Sequence, residues 1–210
     1  MSISAKLEKK TPRAGRMKPK DRAQQLLSTA LSLFAEKGFT AKHTDIATRA
    51  QVSVPTTFVY FETREALVKA VIEEIKRFIT TEILVEAEAK AHANPQNAIR
   101  VSAEALINAA KKNPDHVKVW LMWSVLFEPC LHKSYHEFEL QILQFLLPII
   151  EGKEVDFGQA TALQRNKARL ILGSSLMLAR MVLNGEDEVG RDDFVDLTIR
   201  SVTTSFTAST

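Results

Sequence analysis

From Lys20 to Lys37 the apolar side chains Ala23, Leu27, Ala30, Leu31 and Phe34 return every three or four residues, the stripe that an amphipathic helix turns toward a core. Gly38 then suits a helix C-terminus that needs a positive φ. The next stretch, HTDIATRAQVSVPTTFVYF, predicts two very short helices. Thr44 can cap the first, Asp45 to Ala50, and Ser53 can cap the second, Val54 to Phe61. Pro55 falls in the first turn of the second, where a missing N–H does no harm. Ala50, Gln51, Val52 and Ser53 leave a turn of helix-turn-helix spacing between them. Helices this short are marginal alone. The first stripe, faced by Ile46, Ala47, Val52 and Phe58, can hold them in a three-helix head. Thr63 then caps a long helix in which Leu67, Ala70, Val71, Ile75, Phe78, Ile79 and Ile83 keep the helical period to about Ala91.

Beyond Pro95 the same period predicts only helices. Ile99, Ala103, Leu106 and Ala110 mark one, and Val117, Trp120, Leu121, Ser124 and Phe127 a second, which Pro129 ends. Phe138, Ile142, Phe145, Leu146 and Ile149 mark a third, followed by a loop from Gly152 to Gly158. Ala168, Ile171, Leu172, Ser175, Ala179 and Val182 mark a fourth that stops near Gly185, and Phe194, Leu197, Thr198, Val202 and Phe206 mark the last. No strand alternation of useful length and no internal repeat interrupts the series. The expected fold class is therefore all-α. The expected division is a basic arm at residues 1–19, an N-terminal helix-turn-helix head at 20–66 and a C-terminal helical bundle at 67–210.

Charge sharpens this picture. Up to Arg22 the chain carries eight basic and two acidic side chains, or +6 of a chain total of +3, so the other 188 residues sum to −3. A basic arm on a mildly acidic body points to a polyanion, because Lys and Arg that neutralise phosphates release condensed counterions. Pro12, Gly15 and Pro19 interrupt the arm, which favours an extended segment over a membrane-lying helix. The single Cys130 cannot form an internal disulfide, and no run of about 18 uncharged apolar residues is long enough for a membrane helix. These features predict a soluble cytoplasmic protein without membrane contact.

In a helix-turn-helix the second helix enters the major groove. The side chains expected to point outward there are Val54, Thr56, Thr57, Val59 and Tyr60, with Phe58 and Phe61 kept for the core. Thr can bond phosphates or base edges, Val can meet thymine methyls, and a Tyr hydroxyl commonly reaches a phosphate. Ser53, Thr44 and Arg64 flank that helix as further contacts. Arg13 and Arg16 suit a narrowed minor groove beside the site. No Arg or Asn on the second helix offers a bidentate base contact, so apolar contacts, DNA shape and the arm are expected to share the selection.

The stretch from Arg22 to Val71, centred on DIATRAQVSVPTTFVYFETREALV, resembles the DNA-binding domain of TetR-type transcriptional regulators. Together with the Pro- and Arg-bearing arm and the VKVW-x-x-W segment at Val117 to Trp123, it is most similar to the LuxR/HapR-type quorum-sensing master regulators. Val59 stands where that group carries Asn, Pro55 where it carries a small residue, and Met122 where it often has an acidic one. The resemblance implies an all-helical homodimer whose last two helices form a four-helix bundle with the partner's, and a body cavity that can take a small molecule. It also implies a sequence-specific regulator that binds double-stranded DNA at a near-palindromic operator.

Trp120, Met122, Trp123, Phe127, Cys130, Phe138, Phe145, Met177 and Met181 form an aromatic and sulfur-rich set in the body. Such a set can line a pocket for a small apolar ligand, with the Trp N–H groups and His116 as polar handles, or can simply be bundle core. Gly173, Ser174 and Leu176 on one helix and Leu197 and Val202 on the last are the expected dimer contacts, through a face whose small residues allow close approach.

The alternatives are a helical protein-interaction module and a small-molecule-binding helical enzyme without specific DNA binding. Against the enzyme, the chain has no GxSxG, phosphate-binding loop, HExxH or dinucleotide glycine motif, and no cofactor or catalytic residue is expected. His132, His136 and Glu139 share helical spacing but lack a fourth ligand, so they are expected on a solvated face and no metal site is predicted.

Overall fold

The computed structural model describes residues 17–85 and 94–203, and within them the regular structure is helical. The first helix, α1 (Pro19–Lys37), starts with Pro19 in its first turn and buries Leu26, Ala30, Leu31, Leu33 and Phe34. It stops at Gly38, whose φ of 68° and ψ of −165° fall in a region that essentially only glycine occupies. After a short 3₁₀ turn, α2 (His43–Ala50) begins two residues earlier than its sequence suggests. Its cap is not Thr44. Lys42 takes the cap position, and the carboxylate of Asp45 accepts the Lys42 N–H at 2.8 Å while pairing with Lys37 Nζ at 2.6 Å. A carboxylate held by a lysine is the stronger acceptor at a positive helix end, which leaves Thr44 exposed in the first turn.

Ser53 caps α3 (Val54–Tyr60) and Thr63 caps α4 (Arg64–Ile79), as their sequences imply. The long helix does not run on unchanged. At Thr80–Leu84 it widens into a π turn, and residues 86–93, which would carry it to Ala91, lie outside the described residues. The body then adds α5 (Pro95–Lys112), α6 (Pro114–Ser124), α7 (Pro129–Glu151), α8 (Ala162–Leu183) and α9 (Glu188–Thr203).

One boundary reverses an expectation. Pro129 does not end α6 but opens α7, where its missing N–H is harmless, and Glu128 caps the new helix by accepting from the Leu131 N–H at 3.1 Å. Phe127, expected on α6, therefore sits in the link between helices and is 82% exposed.

The head consists of α1 against α2 and α4, with α3 packed on α2. In the body, α8 is central and meets α5, α7 and α9. Helix α6 joins the two parts, touching α1 and α4 on one side and α5, α7 and α8 on the other. Its Trp123 is fully buried, stacks on Phe138 (centroids 5.8 Å apart, 13° between planes) and meets Tyr135 edge-on at 5.2 Å. The indole N–H donates to the Leu131 carbonyl at 3.0 Å, so the ring is polar-satisfied as well as packed. Trp123→Ala should cost about 3–5 kcal/mol of stability, read as a lower urea midpoint with unchanged slope.

Candidate nucleic-acid interface

The turn between α2 and α3 is set by Gln51, which takes the left-handed conformation (φ 54°, ψ 45°) and donates its N–H back to the Ala47 and Thr48 carbonyls. Ser53 then accepts the Thr56 N–H at 3.3 Å, and the two hydroxyls lie 2.8 Å apart. Of the side chains expected outward, Val59 is 77% exposed, and Val54, Thr56 and Tyr60 are partly exposed. Thr57 is not among them. It is fully buried, and its hydroxyl donates to the Val54 carbonyl at 2.7 Å, because its position on this short helix faces the head's core. Phe58, expected in the core, is 44% exposed, whereas Phe61 is buried as expected.

His43 explains Phe58. The two rings lie parallel, 3° apart in plane with centroids 4.1 Å apart, so the imidazole covers one face of the phenyl ring and leaves the other open. His43 Nε2 is 2.8 Å from the Phe61 carbonyl. A carbonyl can only accept, so Nε2 carries the proton. The buried imidazole thus ties the start of α2 to the end of α3. A lone histidine 15 residues from its ring partner gives no sequence signal for this.

Ion pairs brace the flanks of the head. Arg49 forks both nitrogens onto Glu36 at 2.6 and 2.7 Å, which holds that carboxyl below its ordinary range. The Lys37 hydrogen bond, then the Lys42 N–H, does the same for Asp45. Arg64 is exposed, and its guanidinium donates to the Phe39 carbonyl, fastening the start of α4 to the segment after α1. Arg13 and Arg16 lie outside the described residues.

The predicted body pocket separates into three groups. Trp120, Trp123 and Phe138 are buried and Phe145 and Met181 partly so, all packed with the main hydrophobic core or at its edge. Ring-on-ring contacts with Trp123 fill that space. Phe127 and Cys130 are exposed and Met177 is 46% exposed, so they do not line an interior site. Met122 lies instead at the head junction, its sulfur 4.0 Å from where a Gly38 Cβ would be. His116 sits 3.5 Å from Glu74 and lies tilted against Phe78, ring centroids 4.5 Å apart, and its burial lowers its pKa against the opposing pull of Glu74. Trp120 keeps a buried indole N–H without a protein acceptor among the described residues. A cleft of about 570 Å³ lies between α4 and α7, and Cys130 is the one member of the predicted set that lines it.

Of the expected dimer contacts, Gly173 is exposed with open space over its Cα, Ser174 and Leu176 are partly exposed, and Leu197 is 58% exposed. Val202 is fully buried within the protomer and cannot take part. Leu163, Leu170 and Met177, spaced by seven along α8, form an exposed apolar stripe beside Gly173. His136 pairs with Glu139 at 3.2 Å and His132 stacks near Phe127. Among the described residues no three His, Cys, Asp or Glu side chains group as a metal site needs.

The three-helix head, with the outer face of α3 exposed, has the form of a helix-turn-helix set on a helical body. Residues 26–71 match the family described as bacterial regulatory proteins, tetR family. The chain is 38% identical over 116 residues to the HTH-type transcriptional regulator LuxR of Vibrio harveyi, a match covering 55% of each chain. It thus spans about half the length of that relative. The fold is similar to a TetR-like transcriptional regulator from Rhodococcus sp. RHA1 (TM-score 0.70, 23% identity, 90% of this chain and 100% of that one). It is also similar to AibR, solved in complex with isovaleryl coenzyme A and operator DNA (TM-score 0.65, 14% identity, 86% and 97%). The tetR-family match thus covers the head and the first turns of α4, and the similarity to solved structures extends over the body.

If His43 fixes α3 as its contacts imply, His43→Ala leaves the Phe61 carbonyl unpaired and Phe58 uncovered. The expected loss is about 1–3 kcal/mol, measured as a lower urea midpoint.

Proposed function

We propose that this protein is a homodimeric transcriptional regulator that binds a near-palindromic duplex operator through the outer face of α3. The observation that carries this is Val59, an apolar side chain 77% exposed on a capped two-turn helix that stands clear of the body. A thymine methyl in the major groove is a fitting partner for it. Val54, Thr56 and Tyr60 flank it, Ser53, Thr44 and Arg64 border it, and Arg13 and Arg16 of the basic arm reach the adjacent minor groove. We divide the chain accordingly into an arm at 1–19, a DNA-binding head at 20–66 and a body at 67–210, in a cytoplasmic protein that is not an enzyme.

Dimerisation runs through the exposed stripe of α8 and the Leu197 face of α9, which places two α3 helices about one duplex turn apart, about 34 Å. A small apolar effector acts by tilting α4, which carries the head, so that the two α3 helices lose register with successive grooves. AibR, bound to an acyl coenzyme A and to operator DNA, is one regulator of this fold with both kinds of partner. The similarity to LuxR supports placement near the quorum-sensing regulators.

Footprinting on genomic fragments tests this directly: protected near-palindromes are expected, and binding indifferent to sequence would leave only a helical interaction module. Tyr60→Phe should weaken all bound sites by a similar factor, about fivefold, in fluorescence anisotropy. Leu197→Glu should shift the dimer to monomer in sedimentation and lower operator affinity with it.

A further inference from the structure

We propose that the cleft between α4 and α7 binds a small zwitterion with an apolar body, about the size of a dipeptide, with its carboxylate at Lys69 and its ammonium at Glu137. The cleft volume of about 570 Å³ lies inside the span common to small-molecule sites. Its floor is apolar: Val68 and Ile72 are buried on α4, and Leu131 faces them in part from α7. An aliphatic body gains by covering them.

The rim decides the ligand's charge. Most charged side chains there are already engaged. Lys76 pairs with Glu73 at 3.0 Å, and Glu128 is committed to capping α7. Arg64 donates to the Phe39 carbonyl, and Glu65 is bonded to the Thr63 side chain in its own first turn. That leaves Lys69 on one wall and Glu137 on the other as the charged lining side chains with neither a hydrogen bond nor an ion pair to the protein among the described residues. Ser134 stands one helical turn before Glu137 on the same wall and adds a hydroxyl. A simple carboxylate would leave Glu137 unmatched, and a simple amine would leave Lys69 unmatched. A molecule with both charges satisfies each wall.

The position gives the site a consequence, which rests on the regulator function proposed above. Only residues 61–63 separate α3 from α4, and Thr63 caps α4 through the Ala66 N–H at 3.0 Å. An occupant that spans α4 and α7 therefore fixes the angle between head and body.

The test uses the full chain and L-leucyl-L-leucine as probe in isothermal titration calorimetry, beside its N-acetyl and C-amide forms. The dipeptide should bind, and either blocked form should bind about fivefold more weakly. In Lys69→Gln the dipeptide and its amide should bind alike; in Glu137→Gln the dipeptide and its N-acetyl form should do so. No binding at millimolar dipeptide, equal binding of blocked and free forms, or variants that keep full discrimination would each overturn the proposal. Operator binding of the same preparation without peptide is scored separately. Peptide binding by a protein that ignores DNA upholds the cleft and removes the regulator; DNA binding without peptide binding overturns the cleft alone.

Discussion

Two helices of eight and seven residues cannot hold their own shape in water, since each fixes its backbone for very few internal hydrogen bonds. What keeps them is burial against α1, whose Leu26, Ala30, Leu33 and Phe34 share one cluster with Ile46, Ala50, Phe61 and the start of α4. The outer face of α3 is determined by this inward demand. Once Thr57 and Phe61 are drawn into the core, and His43 has pinned the helix end and one face of Phe58, the positions left for solvent are Val54, Pro55, Thr56, Val59 and Tyr60.

The head is then connected to the body at two points that differ in character. Helix α4 is covalently continuous with it, and its last turns widen into a π segment where the Thr80 and Thr81 hydroxyls donate to the Lys76 and Arg77 carbonyls. Such turns are weaker places in a helix than the α geometry on either side. The second support is α6, which meets α1 near Gly38 through Met122 and meets α4 through His116 at Glu74 and Phe78. Head and body are therefore joined both along α4 and across α6.

The helical class, the helix-turn-helix and the caps at Ser53 and Thr63 were legible because each depends on local spacing: apolar residues at three and four, hydroxyls before helix starts, proline in a first turn. Pro129 misled because proline marks both the end of one helix and the beginning of the next, and only the Glu128 cap separates the two cases. Thr57 and Phe58 exchanged roles because a seven-residue helix has too few turns to define its buried face by periodicity. The pocket set stayed open between cavity and core for a related reason. Composition counts large side chains but cannot tell rings that line a space from rings that fill it, and Trp123, Tyr135 and Phe138 fill theirs. The α4–α7 cleft was invisible because Val68 and Ile72 carry the same helical period as core positions beside them.

Charge and shape divide the labour of DNA binding along the chain. The first 22 residues hold +6 while the remainder sums to −3, so attraction to a phosphate backbone resides in the arm, and the body works against it. Helix α3 has neither Arg nor Asn, and the head's cations at Lys37 and Arg49 are already neutralised by Asp45 and Glu36. Most of the affinity for any duplex would then be electrostatic, salt-sensitive and blind to sequence. What remains for choosing among sequences is methyl-on-methyl contact at Val59, hydroxyl positioning at Thr56 and Tyr60, and groove shape, all of which need the face of α3 held steady. That requirement returns to His43: a reader without bidentate base contacts depends more on the rigidity of its recognition helix than one that has them, because its weaker contacts gain selectivity only through geometry.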